Sequence, residues 1–236
     1  MSFQIKEIQN SESHLKIIEI FNDISSAKIV LNQGASLQEL RLNKVPLIQD
    51  LHPLKYQDTY ASSILFPFVS RIENGKYAFE NVAYQTEINE LERNNALHGF
   101  VYNKEFKIVG QQLDADTASI VLEYDETKLT KGFPFTYKIQ ITYILQNDLL
   151  RLKVNVFNTS NKTFPFTLGW HPYFTSSNLY ASTLNFESDT KVLFDTGLIT
   201  LDTEMYTSNS EIKIKDKSLD DCYFLNSNTI AFNTPD

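Results

Sequence analysis

Apolar and polar residues alternate with a period of two through much of the chain, as expected of strands that bury one face. In YKIQITYIL, Tyr137, Ile139, Ile141, Tyr143 and Leu145 share a face. In LLRLKVNVF, Leu150, Leu152, Val154 and Val156 lie opposite Arg151, Lys153 and Asn155. Only QND separates the two runs, which predicts a long β-hairpin with one side in the core. KYAFENVAY predicts a second hairpin: Tyr77 and Phe79 run in, Glu80 and Asn81 turn, and Val82 and Tyr84 run out. Further strands are expected in KIIEIF (16–21), KIVL (28–31), SLQELRL (36–42), TASIVLEY (117–124), STLNFES (182–188) and KVLF (191–194). No segment carries a helical stripe for three turns, and no repeat or Pro/Gly/Ser-rich linker divides the chain. The pattern therefore predicts one all-β domain over residues 1–236, either a sandwich or a barrel.

Composition supports a folded core. Hydrophobic residues make up 42% of the 236 residues and aromatics 13%, which argues against disorder. The net charge of −8 is spread along the chain, which disfavours nucleic acid and acidic membrane surfaces as partners and favours a small neutral substrate. The N-terminal MSFQIKEIQNSESHLK lacks a basic start followed by an apolar run, and a single cysteine, Cys222, allows no internal disulfide framework. A cytoplasmic protein is the expectation.

Four histidines are available for chemistry. His14 and His52 sit in polar surroundings and read as surface residues, whereas His98 in NNALHGF and His171 in GWHPYF are flanked by glycine and aromatic residues. No short-spaced ligand pair points to a metal, no G-x-S-x-G elbow to a serine nucleophile, and no glycine-rich loop to phosphate. Acid/base chemistry remains, because an imidazole titrates near neutrality. If strand parity holds, His171 shares a face with Thr167 and Gly169, whose small side chains leave room for a ligand, while Phe164, Phe166, Leu168 and Trp170 face the other way. Pro172 restricts His171 to extended backbone. A histidine satisfied by a core hydrogen bond fits these local facts as well. Arg71, at the end of the apolar run SSILFPFV, is either a solvated strand-end residue or a fixed donor fork for hydroxyl groups.

Taken in order, ILFPFVSRIENGKYAFENVAYQT, NNALHGF, FTLGWHPYF and LDDCYF resemble the aldose 1-epimerase (galactose mutarotase) family. The resemblance implies a galactose mutarotase-like antiparallel β-supersandwich that interconverts the α and β anomers of a free hexose without metal or organic cofactor. By position, His171 is then the acid that protonates the ring oxygen, with His98 beside it as the second catalytic histidine. Arg71 and Asp220 are expected to bind the sugar, with Asp221 as the alternative if the register slips by one. Phe100 and Tyr173 are expected to supply stacking surface, as are Phe68 and Trp170, unless these rings serve core packing.

Two departures stand out. Ser70 occupies a position where the family usually has asparagine, and the family's catalytic glutamate lies well beyond the LDDCYF block, where this chain has no glutamate after Glu211. NTIAFNTPD reads as one strand and the start of a turn, so the domain is expected to be C-terminally incomplete and to leave sheet edges open to pairing with another chain. Three readings follow: a fragment of an epimerase, a carbohydrate-binding sandwich without a base, or a site in which another carboxylate substitutes.

Overall fold

A computed structural model describes residues 2–10, 14–207 and 211–235, and it is antiparallel β almost throughout. The chain divides into two compact units, Met1–Phe174 and Thr175–Asp236.

Two sheets dominate the first unit. One is a five-stranded meander of Gln4–Asn10, Leu15–Phe21, Ser26–Val30, Ser36–Leu42 and Val45–Ile48. The other holds Lys107–Leu113, Ala118–Glu126, Tyr137–Leu145 and Leu150–Asn158, again in chain order. Their inner faces meet in one hydrophobic cluster, in which Ile18, Ile20, Ile29 and Leu37 of the first sheet join Ile120, Leu122, Ile139 and Ile141 of the second. The unit is thus a sandwich rather than a barrel.

The long hairpin forms as its alternation predicts, in the register Tyr137↔Asn158 to Leu145↔Leu150. Tyr137, Ile139, Ile141, Tyr143 and Leu145 are all fully buried, each such side chain stabilising the fold by about 1.5–3 kcal/mol. The second hairpin pairs Lys76–Phe79 with Val82–Gln85 and turns at Glu80 (φ 50°) and Asn81 (φ 62°). Two left-handed residues give a turn whose twist matches the strands it joins. Tyr77 stacks on its cross-strand partner Tyr84, with ring centroids 5.0 Å apart.

In the second unit, a twelve-residue strand, Thr183–Phe194, pairs with Thr200–Met205, Ile212–Lys213 and Cys222–Asn233. STLNFES and KVLF, expected as separate strands, belong to this single strand. Its pairing with Cys222–Asn233 shifts register on both sides of Ser188. Glu187 and Asp189 are exposed on either side of buried Ser188, so the in–out alternation runs on through this irregularity without ending the strand. NTIAFNTPD contributes its first residues to Cys222–Asn233, and Asp236 lies outside the described residues.

Candidate functional site

One stretch of the first unit, Ser62 to Glu73, ties three parts of the chain together. Ile64–Leu65 pairs with Gly169–Trp170. Just beyond that pair, the Ser62 N–H donates to the His171 carbonyl at 2.8 Å and the His171 N–H donates to the Ser63 carbonyl at 3.1 Å. In the middle of the stretch, Phe66 bridges Gly99, and the Phe100 N–H donates to the Phe66 carbonyl at 2.7 Å. At its end, Arg71–Glu73 pairs with Asn95–Leu97, and the His98 N–H donates to the Ser70 carbonyl at 3.0 Å. Two motifs remote in sequence, NNALHGF and GWHPYF, are thereby anchored to a single rack.

Local backbone conformation makes this approach possible. Gly99 has φ +75°, and a Cβ there would fall inside the Phe66 carbonyl. Ser70 (φ 59°) and His98 (φ 62°) also adopt left-handed conformations, which disfavour non-glycine residues by about 1–2 kcal/mol each and tend to cluster at functional sites.

The result is a histidine pair. The His98 and His171 rings lie 5.1 Å apart between centroids. Tyr60 meets His98 edge-on at 5.1 Å, and Tyr173 meets His171 edge-on at 5.4 Å. His171 Nδ1 lies 3.3 Å from the Tyr60 carbonyl oxygen. A carbonyl only accepts, so this contact places the proton on Nδ1 and leaves Nε2 for a ligand. His98 Nδ1, by contrast, is buried without a hydrogen-bond partner among the described residues.

Burial, the neighbouring His171 and the Arg71 cation push His98 down to about 4, against an opposing pull from Glu90. Folded His98 is therefore neutral down to about pH 4, while the unfolded chain binds the proton near ~6.5. Between those values the unfolded state holds more protons, so stability should fall as pH drops from about 6.5 to about 4. Urea unfolding at several pH values should show this loss in the parent and a shallower one in His98→Gln. Equal slopes would refute the depressed titration.

Arg71 is a fixed fork, not a solvated strand end. Its Nε donates to both Glu90 carboxylate oxygens at 3.0 and 2.9 Å, and its Nη2 donates to Oε1 at 2.8 Å. The two side chains are 18% and 10% exposed. Bonding to Arg71 holds the Glu90 carboxyl below its ordinary range, although burial opposes this.

The other expected site residues have different surroundings. Phe100 packs edge-on to Phe68 at 5.5 Å and against Phe133 at 6.0 Å, on the margin of the core and beside an apolar hollow of about 200 Å³. Trp170 donates from its indole to the Ser62 carbonyl at 3.1 Å. His14 and His52 are exposed. The run around His171 is a strand only at Gly169–Trp170. Pro165 and Pro172 lack N–H groups, and the Thr167 hydroxyl accepts from the Val69 N–H at 2.9 Å, so no continuous ladder forms. Phe164 packs into the aromatic core while Phe166 is half-exposed, so the two rings do not share one environment as continuous strand parity implied. Asp220 belongs to the second unit and is exposed, and its neighbour Asp221 pairs with Lys191 at 2.7 Å. Tyr60 and Glu90 were not expected at the site. Neither lies in a motif with a chemical signature, and only the fold brings them to the histidines and the arginine.

The antiparallel all-β sandwich is a galactose mutarotase-like fold, and solved structures share it. A galactose 1-epimerase from Lactobacillus acidophilus NCFM superposes with a TM-score of 0.81 over 98% of this chain and 77% of its own, at 18% identity. A galactose mutarotase-like protein from Clostridium acetobutylicum gives 0.77 over 88% of this chain and 66% of its own, at 23% identity. The family model for aldose 1-epimerase matches residues 16–236, and the chain belongs to that family. YihR of Escherichia coli K12, itself uncharacterized, is 26% identical over 147 residues, covering 62% of this chain and 46% of YihR. The chain spans about half the length of the curated relatives it matches.

Proposed function

We propose that this chain binds a free aldose in its pyranose form and that His171 exchanges a proton with the ring oxygen, as in the interconversion of α and β anomers. The observation that carries this reading is the His98–His171 pair, with its rings 5.1 Å apart and one ring oriented through Nδ1 by the Tyr60 carbonyl.

In the protonated ring, Nδ1–H stays with that carbonyl and Nε2–H is the acidic donor. As the bond between C1 and the ring oxygen breaks, the C1 hydroxyl proton leaves to solvent water and the ring oxygen receives the Nε2 proton, giving an open aldehyde and a hydroxyl. Rotation about the bond to C1 exposes the other face, and the same transfers in reverse close the ring. The ring oxygen is weakly basic until the bond lengthens, so the acid acts chiefly in the transition state. His98 remains neutral and suits a hydrogen-bonding role. Its buried Nδ1, with no partner among the described residues, marks it as a polar group awaiting a ligand or water. Arg71 offers its outward N–H groups to sugar hydroxyls. Glu90 is a poor base for the C1 proton, because Arg71 occupies both of its oxygens and favours the charged form.

A second reading, a carbohydrate-binding sandwich without turnover, is favoured by the commitment of Glu90 to Arg71. Polarimetry of freshly dissolved α-D-galactose and α-D-glucose separates the two. The catalytic reading expects mutarotation faster than buffer, reduced about 10²-fold or more by His171→Ala. Binding by calorimetry with no acceleration would select the second reading, and neither binding nor acceleration would defeat both for those sugars.

A further inference from the structure

Every N–H on one edge of the Arg71 guanidinium is taken by a single carboxylate, and that carboxylate is itself held on several sides. The Glu90 backbone exchanges two hydrogen bonds with Asn95, at 3.0 and 3.1 Å. The Asn95 side-chain amide donates to Glu90 Oε2 at 3.3 Å, and Arg93 Nη1 donates to Oε1 at 3.3 Å. Asn95 in turn sits opposite Glu73, on the strand that begins with Arg71. The ion pair is thus braced by the ladder that carries the arginine.

A guanidinium presents five N–H groups in one plane. Glu90 takes the Nε and one Nη2 hydrogen, which leaves both Nη1 hydrogens and the second Nη2 hydrogen without a partner among the described residues. Their direction is set by the plane that Glu90 fixes. Such a parallel pair suits two oxygens on neighbouring carbons, the arrangement a sugar ring offers.

We infer that Glu90 is a positioning residue: it locks the Arg71 plane before substrate arrives, so that the outward edge meets adjacent sugar hydroxyls without having to be ordered on binding. This inference rests on the reading of the site as a sugar site. An unbraced arginine loses up to about 2 kcal/mol of rotamer freedom when a ligand fixes it, and here the fold has already imposed that order. Glutamine at position 90 would keep the shape but set an N–H donor group against the guanidinium donors, freeing the plane to rotate.

Two measurements test the proposal. The Arg71 Nε–H resonance, identified by its loss in Arg71→Lys, should exchange slowly with water in the parent and rapidly in Glu90→Gln, with Glu90→Asp between them. A slow Nε–H surviving in Glu90→Gln overturns the positioning role, and Glu90→Ala serves if Glu90→Gln does not fold. D-galactose titrated by calorimetry should bind about tenfold more weakly to Glu90→Gln, with part of the loss recovered in Glu90→Asp. Equal affinity in parent and both variants overturns the inference. Should the parent bind no sugar, the sugar-site reading fails, while the exchange of the Arg71 Nε–H still decides whether Glu90 holds the guanidinium.

Discussion

Gly99→Ala is expected to destabilise the first unit by about 3–4 kcal/mol, enough to deplete the folded form of a marginally stable domain. Two costs combine. Gly99 has φ +75°, which disfavours any L-residue with a Cβ by about 1–2 kcal/mol. The added methyl would also overlap the Phe66 carbonyl and backbone, and relieving such overpacking in a tight site typically costs a further 1–3 kcal/mol or so. No flexible side chain can move aside, because the obstacle is the Phe66 backbone, whose carbonyl accepts from the Phe100 N–H. Gly110→Ala is the control. Its φ lies outside the left-handed range, and its Cβ would meet only Val121 side-chain atoms at 3.4 and 3.5 Å, so little change is expected. Trp170 is the only tryptophan and lies in the first unit, so urea unfolding followed by its fluorescence reports on this unit alone. A Gly99→Ala unfolding free energy within about 1 kcal/mol of the parent's would disprove the tight approach.

Tyr143→Ala is the second large effect, expected to cost about 4–5 kcal/mol. The ring is fully buried between the sheets, and deleting a buried aromatic side chain typically costs about 3–5 kcal/mol through lost burial and the cavity left behind. Its hydroxyl also donates to the Ala35 carbonyl at 2.8 Å, which fastens the second sheet to the loop ahead of Ser36–Leu42. Tyr143→Phe isolates that bond and should cost about 1–2 kcal/mol, because the carbonyl is left unpaired in the interior. Comparable losses in the two variants would show that the hydroxyl, and not the ring, dominates.

The framework of this fold was legible in the sequence where burial is one-sided. Tyr137–Leu145 alternates without interruption because one face packs on the core, and its partner strand does so as far as Val154, so the pattern shows both strands. The strands that hold the site are two or three residues long: Ile64–Leu65, Arg71–Glu73, Asn95–Leu97 and Gly169–Trp170. Segments so short carry no periodicity, and their pairing is set by contacts across many residues. His98 and His171 were legible as candidates from their glycine and aromatic neighbours, but their proximity was not. Glu90 lies in the polar run INELERNN, where a half-buried ion-paired carboxylate looks the same as a solvated one. Tyr60 acts on His171 through its backbone carbonyl, a group every residue has, so its identity carries no signal.

The rack from Ser62 to Glu73 also has a consequence for the order in which the protein assembles. Leu65 must find Gly169, and Arg71 must find Leu97. The first closure spans most of the first unit, and a long loop loses more chain entropy on closing than a hairpin does. The strands Tyr137–Leu145 and Leu150–Asn158 can zip from their short turn without any such search. The histidine pair, which depends on both closures, is expected to come together after that hairpin. A nascent or partly unfolded chain is expected to hold its hairpins before its histidine pair.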